Sequence, residues 1–238
     1  MRQKKMNQND FSALDPLGKA LLAYWKGDKL AQITQEYRSG ETKTIPASIF
    51  FRNINEFCPT EHVLEYCQGR ILVVGAGTGV HALELEKNGH NVTALEVNHL
   101  AAQIMKERGV KDIRRCDFFE FTGELYDTII MLGHNIGVCE TVGRLNILLQ
   151  KCRSLLVPGG QLLANSVNES VSRNIINNHG YPGEQEFRLS YAGNSGRWMR
   201  WLHVDFETLS RKAIECEWSI EKLVETQDGE FLARLIAA

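Results

Sequence analysis

Apolar and polar positions fall into regular blocks from residue 70 onward. Ile71 to Val74 is an unbroken apolar run that stops at glycines, the pattern of a strand buried on both faces. Val80 to Lys87 spaces its apolar residues as a helix does, and Asn91 to Glu96 reads as a second strand. The alternation continues through helix His99 to Arg108, strand Val110 to Arg115, strand Thr128 to Leu132, helix Thr141 to Leu156 and strand Gln161 to Ser166. Strands alternating with helices imply right-handed crossovers and a mostly parallel sheet covered on both faces, so the pattern predicts a doubly wound α/β fold.

The two ends and one long connection depart from that array. Leu14, Leu17, Leu21 and Tyr24, then Leu30, Ile33 and Tyr37, recur at helical spacing, which predicts N-terminal helices broken near Gly27-Asp28. Ser39-Gly40-Glu41 and Pro46 punctuate the chain before Ile49 to Arg52, and a further helix is expected from Pro59 to Cys67. Asp205 is placed to cap a helix from Phe206 to Cys216. After it, Trp218 to Glu225 and Glu230 to Ile236 are extended runs joined by a turn at Thr226-Gln227-Asp228-Gly229, so the sheet should finish in an antiparallel hairpin.

Between Ser166 and Asp205 lie 38 residues, more than an ordinary connection uses, and a lid or substrate-binding insertion is expected there. Within it Glu186 to Ala192 and Trp198 to Val204 flank Gly193-Asn194-Ser195-Gly196, which suggests a β-hairpin. The chain then divides into an N-terminal helical cap (1–58), an α/β domain (59–166 with 205–238) and the inserted lid (167–204).

Composition narrows the partners. With 238 residues, 43% of them hydrophobic, one elaborated domain accounts for the whole chain. A formal charge of −2 provides no global field for nucleic acid or an anionic membrane, and the basic cluster from Lys106 to Arg115 reads as the solvated end of a helix. The six cysteines include no CxxC pair, which leaves neither a zinc-ligand spacing nor a redox couple, and no metal is expected. Met1 to Asp10 is polar without an apolar leader core, and no apolar run is long enough to span a bilayer. A cytoplasmic monomer or homodimer acting on a small molecule, with neither nucleic-acid nor membrane partner, is the expectation.

The chemistry concentrates at Gly75-Ala76-Gly77-Thr78-Gly79, where a predicted strand gives way to a helix. Glycines there let the backbone turn sharply and approach a ligand, and the free amides of the helix start favour electron-rich groups. Glu96 ends the next strand, 21 residues after Gly75, where a carboxylate can accept from both ribose hydroxyls of an adenosine ligand. That arrangement suits nicotinamide dinucleotides and S-adenosylmethionine alike. In the register where Gly75 closes the strand, a dinucleotide fingerprint needs a small residue at position 80, which is Val80 here. A register shifted to Gly77, Gly79 and Ala82 would restore it, so a nicotinamide-dependent oxidoreductase remains the alternative.

Asp117-Phe118 follows the third strand and offers a carboxylate and an aromatic face for an adenine edge and plane; the same pair also makes an ordinary turn cap beside a core ring. Gly133-His134-Asn135 follows the fourth strand, at the sheet edge where parallel α/β folds place ligands. His134 is a candidate general base there, and His203 a second. Tyr191, Trp198 and Trp201 of the insertion are candidate acceptor contacts, with strand alternation setting Trp198 on the face opposite Trp201 and His203. Phe51 and Arg52 are candidates to close the pocket from the N-terminal side.

From about Pro46 to the C-terminus the chain resembles small class I S-adenosylmethionine-dependent methyltransferases, especially a group carrying a Gly-Asn-Asn-like segment after the fourth strand. The stretches that carry the resemblance are ILVVGAGTG (71–79), VTALEV (92–97), RCDFFEF (115–121), YDTIIMLGHNIG (126–137), LLVPGGQLLA (155–164) and GRWMRWLHVDFETL (196–209). It implies a seven-stranded, Rossmann-like sheet, S-adenosylmethionine as cofactor and a small-molecule acceptor. It further implies that Gly75, Ala76, Gly77 and Gly79 line the amino-acid part of the cofactor. Glu96 and Val97 would meet the ribose, Asp117 and Phe118 the adenine, and Leu132, Gly133 and Asn135 would complete the site. The chain departs from the family at Val73, where an acid usually stands two residues before the first glycine; the loop is then supported differently or the cofactor held more weakly. A noncatalytic S-adenosylmethionine-binding protein is the reading that this departure favours.

Overall fold

A parallel strand covered on both faces needs apolar side chains at every position, and β3 (Arg70–Val74) supplies them. In the computed structural model, which describes residues 11–172 and 180–237, Leu72 and Val74 point into one core layer and Ile71 and Val73 into the other. The same division holds along β4 (Asn91–Leu95), β6 (Tyr126–Met131) and β7 (Leu156–Val167), while the edge strand β5 (Asp112–Arg114) adds only the half-buried Ile113 to the Ile71 side. Helix α2 (Val80–Lys87) covers the Ile71 side through Ala82 and Leu85. Helices α4 (Leu145–Ser154) and α6 (Phe206–Glu215) cover the Leu72 side through Leu148, Leu149, Leu209 and Ala213.

The main sheet has seven strands in the order β11-β12-β7-β6-β3-β4-β5, with β11 (Trp218–Glu225) and β12 (Glu230–Ala237) running antiparallel at one edge. The other neighbours, β7/β6, β6/β3, β3/β4 and β4/β5, are parallel. This is the doubly wound sheet with a closing hairpin that the sequence pattern predicts. From β3 the chain proceeds outward to β4 and β5, then returns to β6 on the other side of β3. The carboxyl ends of β3 and β6 therefore flank the switch point, where α/β sheets open a crevice. Asp205 caps α6, its side chain accepting from Thr208 N at 2.8 Å.

A second sheet joins two distant parts of the chain. β1 (Gln32–Tyr37) pairs antiparallel with β2 (Thr42–Pro46) and with β8 (Glu184–Tyr191), and β8 pairs in turn with β9 (Asn194–Ser195) and β10 (Met199–Leu202). The hairpin expected around Gly193 is present, but the helix expected over Leu30 to Tyr37 is a strand. Leu30, Ile33 and Tyr37 fit a helical period, yet Ala31, Ile33, Gln35 and Tyr37 are the buried positions, a period of two set by pairing with β8. Helix α1 (Asp15–Trp25) is the helical part of the N-terminal segment; the expected helix from Pro59 to Cys67 is two single 3₁₀ turns, Pro59–Glu61 and Leu64–Tyr66.

Helix α1 packs on α3 (His99–Arg108), with Gly18 lying directly against the Asn98 side chain. All six cysteines are free, and burial pushes the Cys67 and Cys139 thiols up to about 12. No helix among the described residues is long and apolar enough to cross a membrane.

Phe231 on β12 is one of the largest fully buried side chains, its ring edge-on to Phe206 with centroids 5.5 Å apart. Phe231→Ala is expected to cost about 3–5 kcal/mol of stability, read as a lower urea midpoint with an unchanged slope.

Candidate functional site

The turn after β3 is built from glycines in the left-handed region: φ is +68° at Gly75, +58° at Gly77 and +85° at Gly79. Gly75 N and Ala76 N donate to Leu95 O at 2.9 and 3.0 Å, so the turn leans on the end of β4. Glu96, next along, holds the turn from below: Oε2 accepts from Gly77 N at 2.8 Å and Oε1 from Asn98 N at 2.8 Å. Burial raises the Glu96 carboxyl above its ordinary value, against the backbone N–H groups of Asn98, Gly77 and Val97, which lower it.

The end of β6 supplies the third support. Leu132 is buried, and the turn that follows passes through Gly133 at φ +67° and His134 at φ +61°. The Asn135 amide then donates to Val74 O at 3.0 Å and Gly75 O at 2.9 Å. A Cβ on Gly75 would stand 2.5 Å from that amide, so glycine is needed for the close approach. At Gly77 and Gly133 the same construction meets open space. Val73 is buried in the apolar cluster of the α2 side, and the turn is held by Glu96 and Asn135.

Asp117 Oδ1 accepts from Phe119 N at 2.8 Å, a local turn cap that leaves Oδ2 for another partner. Phe118 is buried in the main core with its edge toward Phe119. Of the aromatic residues in the insertion, Trp201 lies directly on Gly137 in the turn that carries Asn135, with Gly137 leaving the room its indole takes. Tyr191 packs with the core of the small sheet. Trp198 is occupied elsewhere, its ring between the guanidiniums of Arg38 at 3.8 Å and Arg188 at 5.0 Å. Phe51 stacks on Tyr24 and Trp25, and the Arg52 guanidinium pairs with Glu61 at 3.0 Å. This segment still touches the glycine turn, since Thr78 Oγ1 donates to Phe50 O.

Comparisons with known proteins show the family. Residues 72–164 match a family model described as a methyltransferase domain. An S-adenosylmethionine-dependent methyltransferase from Bacteroides fragilis, solved in complex with S-adenosyl-L-homocysteine, is 31% identical and superposes with a TM-score of 0.87 over 95% of this chain and 97% of its own. The chain belongs to the S-adenosylmethionine-dependent methyltransferases. More distant structures share the fold. They include a sugar N-methyltransferase from Streptoalloteichus (13% identity, TM-score 0.57, 80% of this chain and 92% of that one) and an amino pentose methyltransferase from Micromonospora echinaspora (16%, 0.54, 75% and 87%). No match was found among functionally curated proteins.

In this methyltransferase the two histidines singled out from the sequence come together, their rings edge to face with centroids 5.2 Å apart. The carboxylates beside them were not legible in the sequence. His134 Nε2 lies 3.2 Å from Glu230 Oε1, which also accepts from Asn165 Nδ2 at 3.1 Å and from the Thr60 hydroxyl. His203 Nε2 lies 3.8 Å from Glu169 Oε1. Burial alone would raise the Glu230 carboxyl, but hydrogen bonds from His134, Thr60 and Asn165 outweigh it and hold it below its ordinary value. Glu230 starts a strand and Thr60 sits in a 3₁₀ turn, 170 residues apart, and no local motif links them.

His81, in the first turn after the glycine loop, also lies outside the expected set. Its ring packs against Phe57 with centroids 4.6 Å apart, 3.8 Å from Glu61, and burial lowers it from 6.5 to about 4. The fold therefore selects the neutral ring. That contribution is present in full above pH 6.5 and is lost as pH falls through about 4. Wild type is expected to lose about 3 kcal/mol more than His81→Phe between these limits, measured by urea unfolding across the range.

Proposed function

We propose that this methyltransferase uses S-adenosylmethionine to methylate a small-molecule acceptor held between the main sheet and the smaller one. The observation that carries the reading is the glycine turn at the switch point, with a buried carboxylate beneath it and open space at Gly77 and Gly133 on either side of the β3/β6 boundary. In this reading Gly75, Ala76, Gly77 and Gly79 take the amino-acid part of the cofactor. Glu96 takes the ribose hydroxyls together with Val97. Asp117 Oδ2 takes the adenine amino group, Phe118 and Leu132 supply apolar walls, and Asn135 keeps the turn open.

When bound, the cofactor supplies an electrophilic methyl group on a cationic sulfur. The chain's part is to place the acceptor in line and keep water out, which lowers much of such a barrier. Trp201 on Gly137, and α1 on Asn98, bring the small sheet and the N-terminal helix against the very turns that carry Asn135 and Glu96. We assign residues 11–58 together with 167–172 and 180–204 to this cover, with Tyr191 and Trp201 on its acceptor side. Among the solved relatives a sugar and an amino pentose are named as acceptors, which supports a small acceptor here. His134 and His203 are the groups placed to take a proton from it. Gly133-His134-Asn135, at the end of β6, is in this reading the counterpart of the Gly-Asn-Asn-like segment of one methyltransferase subgroup.

Calorimetric titration with S-adenosylhomocysteine tests the reading. One site per chain is expected, weakened about tenfold or more, ~1.4 kcal/mol, in Glu96→Ala. No heat at millimolar ligand, or a response to NADH in its place, would overturn it.

A further inference from the structure

Thr78 stands in the middle of the glycine turn, between two residues whose backbone is left-handed, and it is buried. Its hydroxyl donates to Phe50 O, and a carbonyl oxygen can only accept, so the hydroxyl hydrogen is taken there. The hydroxyl oxygen in turn accepts from Arg108 Nη1 at 2.8 Å. The same nitrogen lies 2.8 Å from Thr78 O, so its two hydrogens have one acceptor each on a single residue. Guanidinium, hydroxyl and carbonyl make one chain of hydrogen bonds that starts from a charge, and each bond strengthens the next. The Thr78 side chain thus serves the shape of the turn and its attachment to Phe50.

The far end of that chain is the N-terminal part of the cover. The other part, which contains α5 (Glu169–Ser172) and β8 to β10, meets the main domain at Gly137 through Trp201. The N-terminal part reaches the glycine turn itself. Besides its bonds to Thr78, the Arg108 guanidinium lies over the Phe51 ring at 5.5 Å, and that ring stacks on Tyr24 and Trp25 of α1. The neighbouring Glu107 accepts from Trp25 Nε1. Arg52 follows Phe51, its Nε donating to Ile49 O at 2.8 Å and its guanidinium paired with Glu61. The last turn of α3 therefore holds α1, Phe51 and the glycine turn together.

We propose that Arg108 and Thr78 are positioning residues that lock residues 47–57 onto the glycine turn, so that cofactor binding and closure of this part of the cover are one coupled event. This rests on the cofactor reading of the turn. In this role neither residue touches the cofactor. Coupling of this kind is reciprocal: the factor by which bound cofactor stabilises the docked segment is the factor by which the docked segment tightens the cofactor. A tether that only stabilised the fold would carry no such equality.

The test uses full-length wild type, T78V and T78S. Each is titrated with S-adenosylhomocysteine by calorimetry, and hydrogen exchange of the peptide covering residues 47–57 is followed by mass spectrometry with and without that ligand. Valine keeps the shape of threonine but neither donates nor accepts, whereas serine keeps the hydroxyl. In wild type the ligand is expected to slow exchange of this peptide about fivefold or more. T78V should lose that protection and bind the ligand more weakly by a like factor, and T78S should keep both within about twofold of wild type. R108M removes the donor from outside the turn and should show the same paired loss; it decides the matter if T78V does not fold. Unchanged exchange in wild type with ligand bound overturns the coupling and leaves the cofactor reading intact. A variant with a lower urea midpoint but wild-type affinity and protection shows a purely structural tether and overturns it as well. No binding by wild type at millimolar ligand overturns the cofactor reading and the coupling with it.

Discussion

The tethering of one turn governs the architecture of this site. Three glycines after β3, Gly75, Gly77 and Gly79, take left-handed conformations that no regular ladder supports, so the polar groups of this turn need partners from elsewhere. Leu95 O, the Glu96 carboxylate and the Asn135 amide provide them, from the ends of the two strands that flank β3. The sheet order is what makes this possible, since β4 and β6 lie on opposite sides of β3 and both end at the same level. Val73 then needs no charge, and the turn keeps its shape through neutral amides and one deeply buried carboxylate.

Buried and half-buried acids recur beside the ends of these strands, and each carries a distinct set of donors. Glu96 is matched by backbone N–H groups, Glu61 by Arg52, and Glu230 by a histidine, an amide and a hydroxyl. The difference shows in their chemistry. Burial prevails over the backbone donors at Glu96 and raises it, while three side-chain donors prevail over burial at Glu230 and lower it.

The smaller sheet is assembled from segments more than a hundred residues apart. β1 and β8 pair directly, and Arg188 on β8 meets Glu36 on β1 in a two-pronged ion pair on the outer face. Trp198 belongs to that face, between two guanidiniums, whereas Trp201 belongs to the inner one. One sheet thus has an outer surface bound together by charge and an inner surface of rings and aliphatic side chains.

Local pattern was enough for much of this. The apolar run ending at Gly75, the acid closing the next strand, the Asp205 cap and the terminal hairpin are legible because each is decided by neighbours within a few residues, through period, capping and turn chemistry. The same pattern was ambiguous at Leu30 to Tyr37, where a helical and a strand period overlap and only pairing with β8 chooses between them. Spacing placed Trp198 and Trp201 on opposite faces but gave neither face an address. The Glu230, Thr60, Asn165 and Glu169 environment of the histidines had no sequence signal at all. Hydrogen bonds between residues 96 and 170 apart depend on how strands stack in space, and that is fixed by the packing of the whole sheet, which no short stretch of chain encodes.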